Sequence, residues 1–215
     1  EAAQQLYIPL ASEFRRQNGR SDYSKNIFSD AKTADQISIQ DINFIKLNSA
    51  QIAFARVNYL PEQWQALAEA IAQGKLSPAD RYGVISDALS LARAGQMSTS
   101  QLIRLLSSYK NEDNYTVWMA VLGALGALDN ILEETPHSAR FATFARSALA
   151  PIAGKLGWSQ MADEHHTITL LRESVLHAMG SYGDYDTIAK AKIHFHDHAS
   201  AVRSADPNLR KAIYG

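Results

Sequence analysis

Near residue 60 the spacing of apolar side chains changes from two to nearly four. That change limits the chain to a strand-rich head and a helical body. Before it, Gln36-Ile37-Ser38-Ile39-Gln40 alternates polar and apolar residues, the pattern of a half-buried strand. Leu6-Tyr7-Ile8-Pro9-Leu10 is a short apolar run whose proline suits an edge strand. Phe44-Ile45-Lys46-Leu47 and the run Ile52 to Tyr59 flank the turn-prone Asn48-Ser49-Ala50-Gln51, which predicts a β-hairpin. The polar stretch from Gln17 to Asp35 reads as loop, with room for one weak strand. Residues 1–60 are therefore expected to form a small antiparallel β-sandwich, incomplete without upstream sequence.

After residue 60 the period is helical. Trp64, Leu67, Ala68 and Ile71 fall on one helix face. Pro61 suits a first turn and Gly74 a helix end. Ser77 can cap the next helix, with Pro78 in its first turn and Asp80 near the positive end of its dipole. That helix should run to Ala94 and stop at Gly95. Further helices are expected near 99–109, 113–132, 138–156, 162–181 and 184–204. Short connections make successive helices antiparallel neighbours. Starts near 62, 99 and 138 suggest a helical hairpin repeating at roughly 35–40 residues, within the HEAT-like range. The expected class is α+β, mostly α: a β-sandwich over 1–60 and a HEAT-like helical solenoid over 61–215. Ala120, Gly123, Ala124 and Ala127 lie along one side of the fourth helix, where small residues suit close helix packing.

Composition narrows the function classes. The net charge is −1 at pH 7, so no global field steers the chain to nucleic acid or an anionic membrane. There is no Cys among the 215 residues, which removes disulfides, thiolate zinc sites and Cys nucleophiles and fits a reducing, cytoplasmic compartment. The longest apolar stretch, Trp118 to Leu128, is short of the roughly 20 residues of a membrane span. The first residue is not Met and no signal pattern follows it, as expected of a trimmed piece of a longer chain. Asn114-Tyr115-Thr116 is a formal glycosylation sequon, a triplet that chance produces often.

Several residues invite a chemical reading. His194-Phe195-His196-Asp197-His198 places His194 and His198 one helical turn apart, a spacing that can share a metal. No third ligand is evident on their face. Glu164-His165-His166 looks catalytic, yet Glu164 at a helix start complements the dipole. It is expected to cap or to form an internal ion pair with Arg172; the two are two turns apart, which leaves open a bridging third residue. Asp87 projects among Gly83, Val84, Leu91 and Ala94; a buried Asp there needs donors, which predicts anchoring to a neighbouring helix or to the sandwich. None of the seven His residues precedes Glu, so the chain holds no H-E-x-x-H.

Separated segments resemble one family in order and spacing. Leu47-Asn48 and Arg56-Val57-Asn58-Tyr59 resemble the last hairpin of a small β domain, and Trp64 resembles the Trp of the helix after it. Asp80-Arg81, Asp87-Ala88 and Leu91-Ala92-Arg93-Ala94-Gly95 resemble the most distinctive helix of the following domain. Leu156-Gly157-Trp158, Glu164 and Leu171-Arg172 resemble a later helical pair, and Asp206 to Tyr214 a segment from the middle of that domain. The family is the zinc-dependent gluzincin aminopeptidases, which includes the puromycin-sensitive, endoplasmic-reticulum and insulin-regulated enzymes. Ala53, Ala55 and Leu60 depart from its usual Gly, Tyr and Asp. Against the family pattern, the resemblance puts Phe195 at a core position and the histidines of 194–198 at variable surface sites.

The resemblance implies a β saddle, a thermolysin-like catalytic domain, a small β-sandwich and a helical bowl. This chain would hold the third and part of the fourth, stopping before the last helices. Zinc, its ligands, the catalytic Glu, the G-x-M-x-N motif and the transition-state Tyr would all belong to the absent catalytic domain of the parent chain. The resemblance thus assigns no catalytic or cofactor-binding residue here. It implies a part that binds and gates peptide substrate through the concave helical face. The alternative reading is a stand-alone helical-repeat module that binds a peptide or protein.

Overall fold

A computed structural model describes residues 8–28, 41–200 and 206–215. The alternating segment Gln36–Gln40 lies outside the described residues. Strands β1 (Ile8–Arg16), β2 (Ser21–Phe28) and β3 (Ile42–Leu47) form one antiparallel sheet in the order β2-β1-β3. The polar stretch read mainly as loop thus contains an eight-residue strand. A tight turn makes it possible: Gly19 takes φ +84°, and Arg16 and Arg20 close the turn by backbone hydrogen bonds. The proline expected on an edge strand is in β1, the central strand. Among the described residues Pro9 nonetheless pairs only with β2, because β3 joins β1 from Ser12 onward, so at that point β1 is an edge of the described sheet.

The predicted hairpin does not form. Asn48 enters the left-handed region at φ 51°, and a 3-10 turn over Ser49–Gln51 follows instead of a strand reversal. The Asn48 side chain accepts from Ala53 N–H and donates to the Ala53 carbonyl, both at 2.9 Å. Residues 52–60 then run without strand pairing among the described residues. Short polar side chains that bond nearby backbone commonly displace ladder pairing in this way.

The helices are α1 (Pro61–Ala72), α2 (Pro78–Arg93), α3 (Thr99–Leu106), α4 (Tyr115–Leu132), α5 (Ser138–Leu156), α6 (His166–Ser181), α7 (Tyr185–Ala199) and α8 (Arg210–Tyr214). Local chemistry sets their ends. Ser77 Oγ accepts from Asp80 N–H, Pro78 opens α2, and Gly74 and Gly95 take positive φ after α1 and α2. Asn114 caps α4 through Thr116 and Val117 N–H.

The chain divides into two compact units, 1–108 and 109–215. In the first, the sheet packs with α1 and the 3-10 turn with α2, while α1 and α2 both meet α3. Leu67, Val84, Ile85, Ala88, Leu102 and Leu106 are its fully buried centre. The change of period near residue 60 falls inside this unit.

In the second unit α6 is central, packing against α4, α5, α7 and α8. Val117, Trp118, Val121, Leu125, Leu149, Leu171 and Val175 are its interior. The small-residue side of α4 is not the packed one. Ala124 is buried, but Ala120 and Ala127 are half-buried, and Gly123 is exposed with open space around it. The large residues Val117, Trp118, Val121, Leu125 and Leu128 form the buried stripe instead. By length and composition α4 could cross a membrane, and among the described residues it is the one helix that could. A buried core helix meets the same test.

Candidate functional site

The densest polar chemistry lies where β3 meets α2. Lys46 follows Phe44 on the inward face of β3, and its side chain is 0% exposed. Its ammonium donates to the carbonyls of Leu47 and Asn48 and lies 3.8 Å from Asp80 Oδ1. Asp80 is itself buried and accepts from Ser77 Oγ–H at 2.6 Å and Ala50 N–H at 2.7 Å. Asp87, two turns along α2, is 0% exposed and accepts from Arg56 Nη1 at 3.2 Å. The same guanidinium nitrogen donates to Ser86 Oγ at 2.7 Å. Across the sheet, Glu13 stands in register with Lys46 and adds negative charge.

Burial and attraction compete in this cluster. Desolvation lowers the Lys46 pKa, against the pull of Asp80, Asp87 and Glu13. Desolvation raises the Asp87 pKa, against hydrogen bonding from Arg56, the charge of Lys46 and a weaker pull from the Val57 amide. Asp87 Oδ2 is buried and has no hydrogen-bond partner among the described residues. Tyr59 closes the arrangement: its hydroxyl accepts from Leu47 N–H at 3.0 Å and donates to Leu47 O at 3.3 Å. Its ring meets Trp64 edge-on at 5.0 Å, and burial pushes the phenol far above its ordinary pKa.

These contacts make a clasp that fixes the sheet and the irregular segment 48–60 to α2. Asp87 is tied to Arg56 of the irregular segment rather than to a neighbouring helix or a described strand. Arg81 donates to Leu76 O at 2.7 Å across the turn that opens α2. Arg93 lies exposed in the last turn of α2, where a cation complements the helix dipole. Asn58 is exposed.

A second ion pair belongs to the other unit. Arg172 grips Glu164 with two nitrogens, at 2.6 and 2.5 Å, and its Nε donates to Leu156 O at 3.1 Å. The side chains are 3% and 7% exposed. The expected pair forms directly, with no third residue, because Glu164 does not lie on a helix. α6 starts at His166, and Asp163 at φ 62° turns the preceding loop back over Arg172. The Arg172 hydrogen bonds hold the Glu164 pKa below the usual carboxylate range. The pair ties the last turn of α5 to that loop.

The histidines do not gather. His194 stacks on Trp158, with centroids 4.9 Å apart and planes 16° from parallel. His198 turns its ring edge-on to Tyr214 at 6.3 Å. Phe195, expected in the core, is 49% exposed and meets Tyr214 edge-on. Trp158 packs instead against the small cluster of Leu176, Leu209 and Ile213. His165 caps α6 through Thr167 N–H. Among the described residues no three His, Asp or Glu side chains come together as metal ligands, so they do not fit zinc.

Lys46 and Asn48 carry the clasp without having been singled out for it. A signal was there. Asp80 and Asp87 are seven residues apart, hence on one helix face, and a lone Lys interrupts the apolar run 44–47. Two carboxylates on a packed face call for a cation opposite.

Residues 44–215 match the family described as ERAP1-like C-terminal domain. Aminopeptidase 2 of Candida albicans is 32% identical over 175 residues, which are 80% of this chain and 19% of that protein. Aminopeptidase M1-A of Oryza sativa subsp. japonica is 34% identical over 175 residues, 80% of this chain and 20% of that one. Human glutamyl aminopeptidase is 31% identical over 174 residues, 80% of this chain and 18% of its own length. The chain thus spans about a fifth of the length of these relatives. It belongs to the ERAP1-like C-terminal domain family of the aminopeptidases.

Proposed function

We propose that this chain is the non-catalytic C-terminal portion of a zinc aminopeptidase, enclosing the active-site cavity and helping to bind and gate the peptide. The carrying observation is the match over 44–215 to a family whose curated relatives are named aminopeptidases. The geometry supports the same division of labour. Buried Lys46 and Asp80 in one unit, and Arg172 and Glu164 in the other, are committed to each other and to neighbouring groups, as structural ties rather than reaction centres. In this reading zinc and its ligands reside in a catalytic domain of the parent chain, and peptide meets the concave side of a HEAT-like helical array. Closure of such a wall would exclude water from the reaction. The sheet would be one layer of the small β-sandwich over 1–60, with upstream strands supplying the other. Half-buried Ile45 and Leu47, on the face opposite Lys46, suit that cover.

The test is hydrolysis of fluorogenic aminoacyl amides by the purified chain, with zinc and with chelator. No turnover is expected. Chelator-sensitive turnover that follows the protein through purification and vanishes in His194→Ala/His198→Ala would overturn the reading. A stand-alone peptide-binding module is the second possibility. An H-E-x-x-H upstream in the same gene decides for the first.

A further inference from the structure

The cleft between α1 and α3 takes no part in the clasp. It encloses about 350 Å³, at the lower end of the roughly 300–1,000 Å³ of ligand pockets. Buried Trp64, Met97 and Leu105 line it, with Gln65, Gln101 and Arg104 among the polar lining groups. The two glutamines are differentiated by bonds they already make. Gln101 Oε1 is taken by Ser98 N–H at 3.0 Å and Ser98 Oγ–H at 2.9 Å, which leaves the Gln101 amide as a donor. Gln65 Nε2 donates to Glu69 at 3.2 Å, which leaves its carbonyl as an acceptor. Among the described residues, exposed Arg104 makes no ion pair and no carboxylate lines the cleft. The cleft therefore offers an apolar floor, one donor, one acceptor and one unneutralised cation.

That set complements a peptide group flanked by an apolar side chain and a carboxylate. We propose that this cleft binds an extended segment of a partner protein, which places one bulky apolar side chain against Trp64 and the carboxylate of the next residue on Arg104. The peptide N–H would donate to Gln65 and the peptide carbonyl would accept from Gln101. The argument uses only the cleft and is independent of the aminopeptidase reading.

The experiment uses the whole 215-residue chain, labelled with nitrogen-15 and read at the Trp64 indole resonance, assigned with Trp64→Phe. The probe is the peptide acetyl-Ala-Phe-Asp-Ala-amide, with Asn or Lys in place of Asp as controls. The Asp peptide should shift the Trp64 resonance saturably. The Asn peptide should bind about 2–5-fold more weakly, the measure of a solvent-exposed ion pair. Arg104→Glu lies on the surface and should melt as the parent does, while reversing the preference to the Lys peptide. The proposal fails if millimolar Asp peptide leaves Trp64 unmoved, or if the Asp and Asn peptides bind alike. It also fails if Trp64 shifts with protein concentration alone, which would make a second copy the occupant.

Discussion

Replacing Lys46 by Met is the sharpest test of the clasp. Met keeps most of the stem's length and apolar surface but removes the ammonium. Losing one partner of a buried ion pair costs about 3–5 kcal/mol, because the opposite charge stays behind. The structure places this case at the lower end. Leu47 O keeps the Tyr59 hydroxyl, and Asn48 O keeps Gln51 N–H at 3.0 Å. Asp80 keeps Ser77 and Ala50, and Asp87 keeps Arg56. What goes is the charge compensation, so a loss of about 3 kcal/mol is expected. At about 2–4 °C per kcal/mol for a chain of this size, Tm should fall by about 6–12 °C.

The pH dependence carries an independent sign. Burial lowers the folded pKa of Lys46, so the unfolded chain holds the extra proton between that value and the ordinary lysine range. Stability from this group therefore rises as pH rises through that window, and Lys46→Met should abolish the rise. Asp87 runs the other way. Its folded pKa is raised, so the folded chain takes up the proton first and gains stability as pH falls through the folded value. Without Lys46 nearby that value should climb further, so the variant's deficit should shrink as pH falls through the raised Asp87 value. Urea unfolding followed by circular dichroism at several pH values measures both effects. Adding Asp80→Asn should recover part of the loss, as expected for groups in direct contact. An unchanged or raised Tm in Lys46→Met at neutral pH would refute the clasp as a stabilising device.

Glu164→Gln should cost about 3 kcal/mol by leaving buried Arg172 without its carboxylate. In the parent chain this pair's contribution should hold above the ordinary Glu range and be lost as pH falls through the depressed folded value; thermal melts of both proteins from pH 7 to 3 compare the two. Asp87→Ala should destabilise by a few kcal/mol and Asp87→Asn by less, since the amide can still accept from Arg56 and loses the desolvated charge; equal Tm values for the two variants would contradict that. Gly83→Ala puts a methyl 1.8 Å from Gln51 Nε2, so it should destabilise by about 1–3 kcal/mol. The double change Gly83→Ala/Gln51→Gly should reverse that loss, because the side chain in the way is gone and φ 56° at position 51 suits glycine. Zinc titrated by calorimetry should show no submicromolar site, since the His194 ring is stacked on Trp158 rather than turned to His198.

The parts of this fold that local chemistry decides were legible in the sequence. Ser77, Pro78 and Asp80 announce the start of α2, and Gly74 and Gly95 announce helix ends, because caps and left-handed turns depend on a few adjacent residues. Asp87 was legible as a buried carboxylate in need of a donor. What escaped depends on distant partners. The strand alternation of 44–47 favours Ile45 and Leu47 as the inward pair, yet Phe44 and Lys46 turn inward and the two aliphatics are only half-buried. The carboxylates that make this possible for a lysine lie on α2, beyond the reach of any local pattern. Asn48 shows the same limit on a shorter range. Its neighbours read as a hairpin turn until its amide closes on Ala53 and releases the next segment from pairing. Glu164 was misplaced by four residues of helix, and those four residues decide whether it faces Arg172 or solvent. In each case a polar side chain overrode an apolar pattern, because a buried charge or amide without a partner is destabilised by more than one misplaced methyl group gains. A lone charge in an apolar run, with two opposite charges seven residues apart on a later helix, is therefore the pattern to seek in related chains.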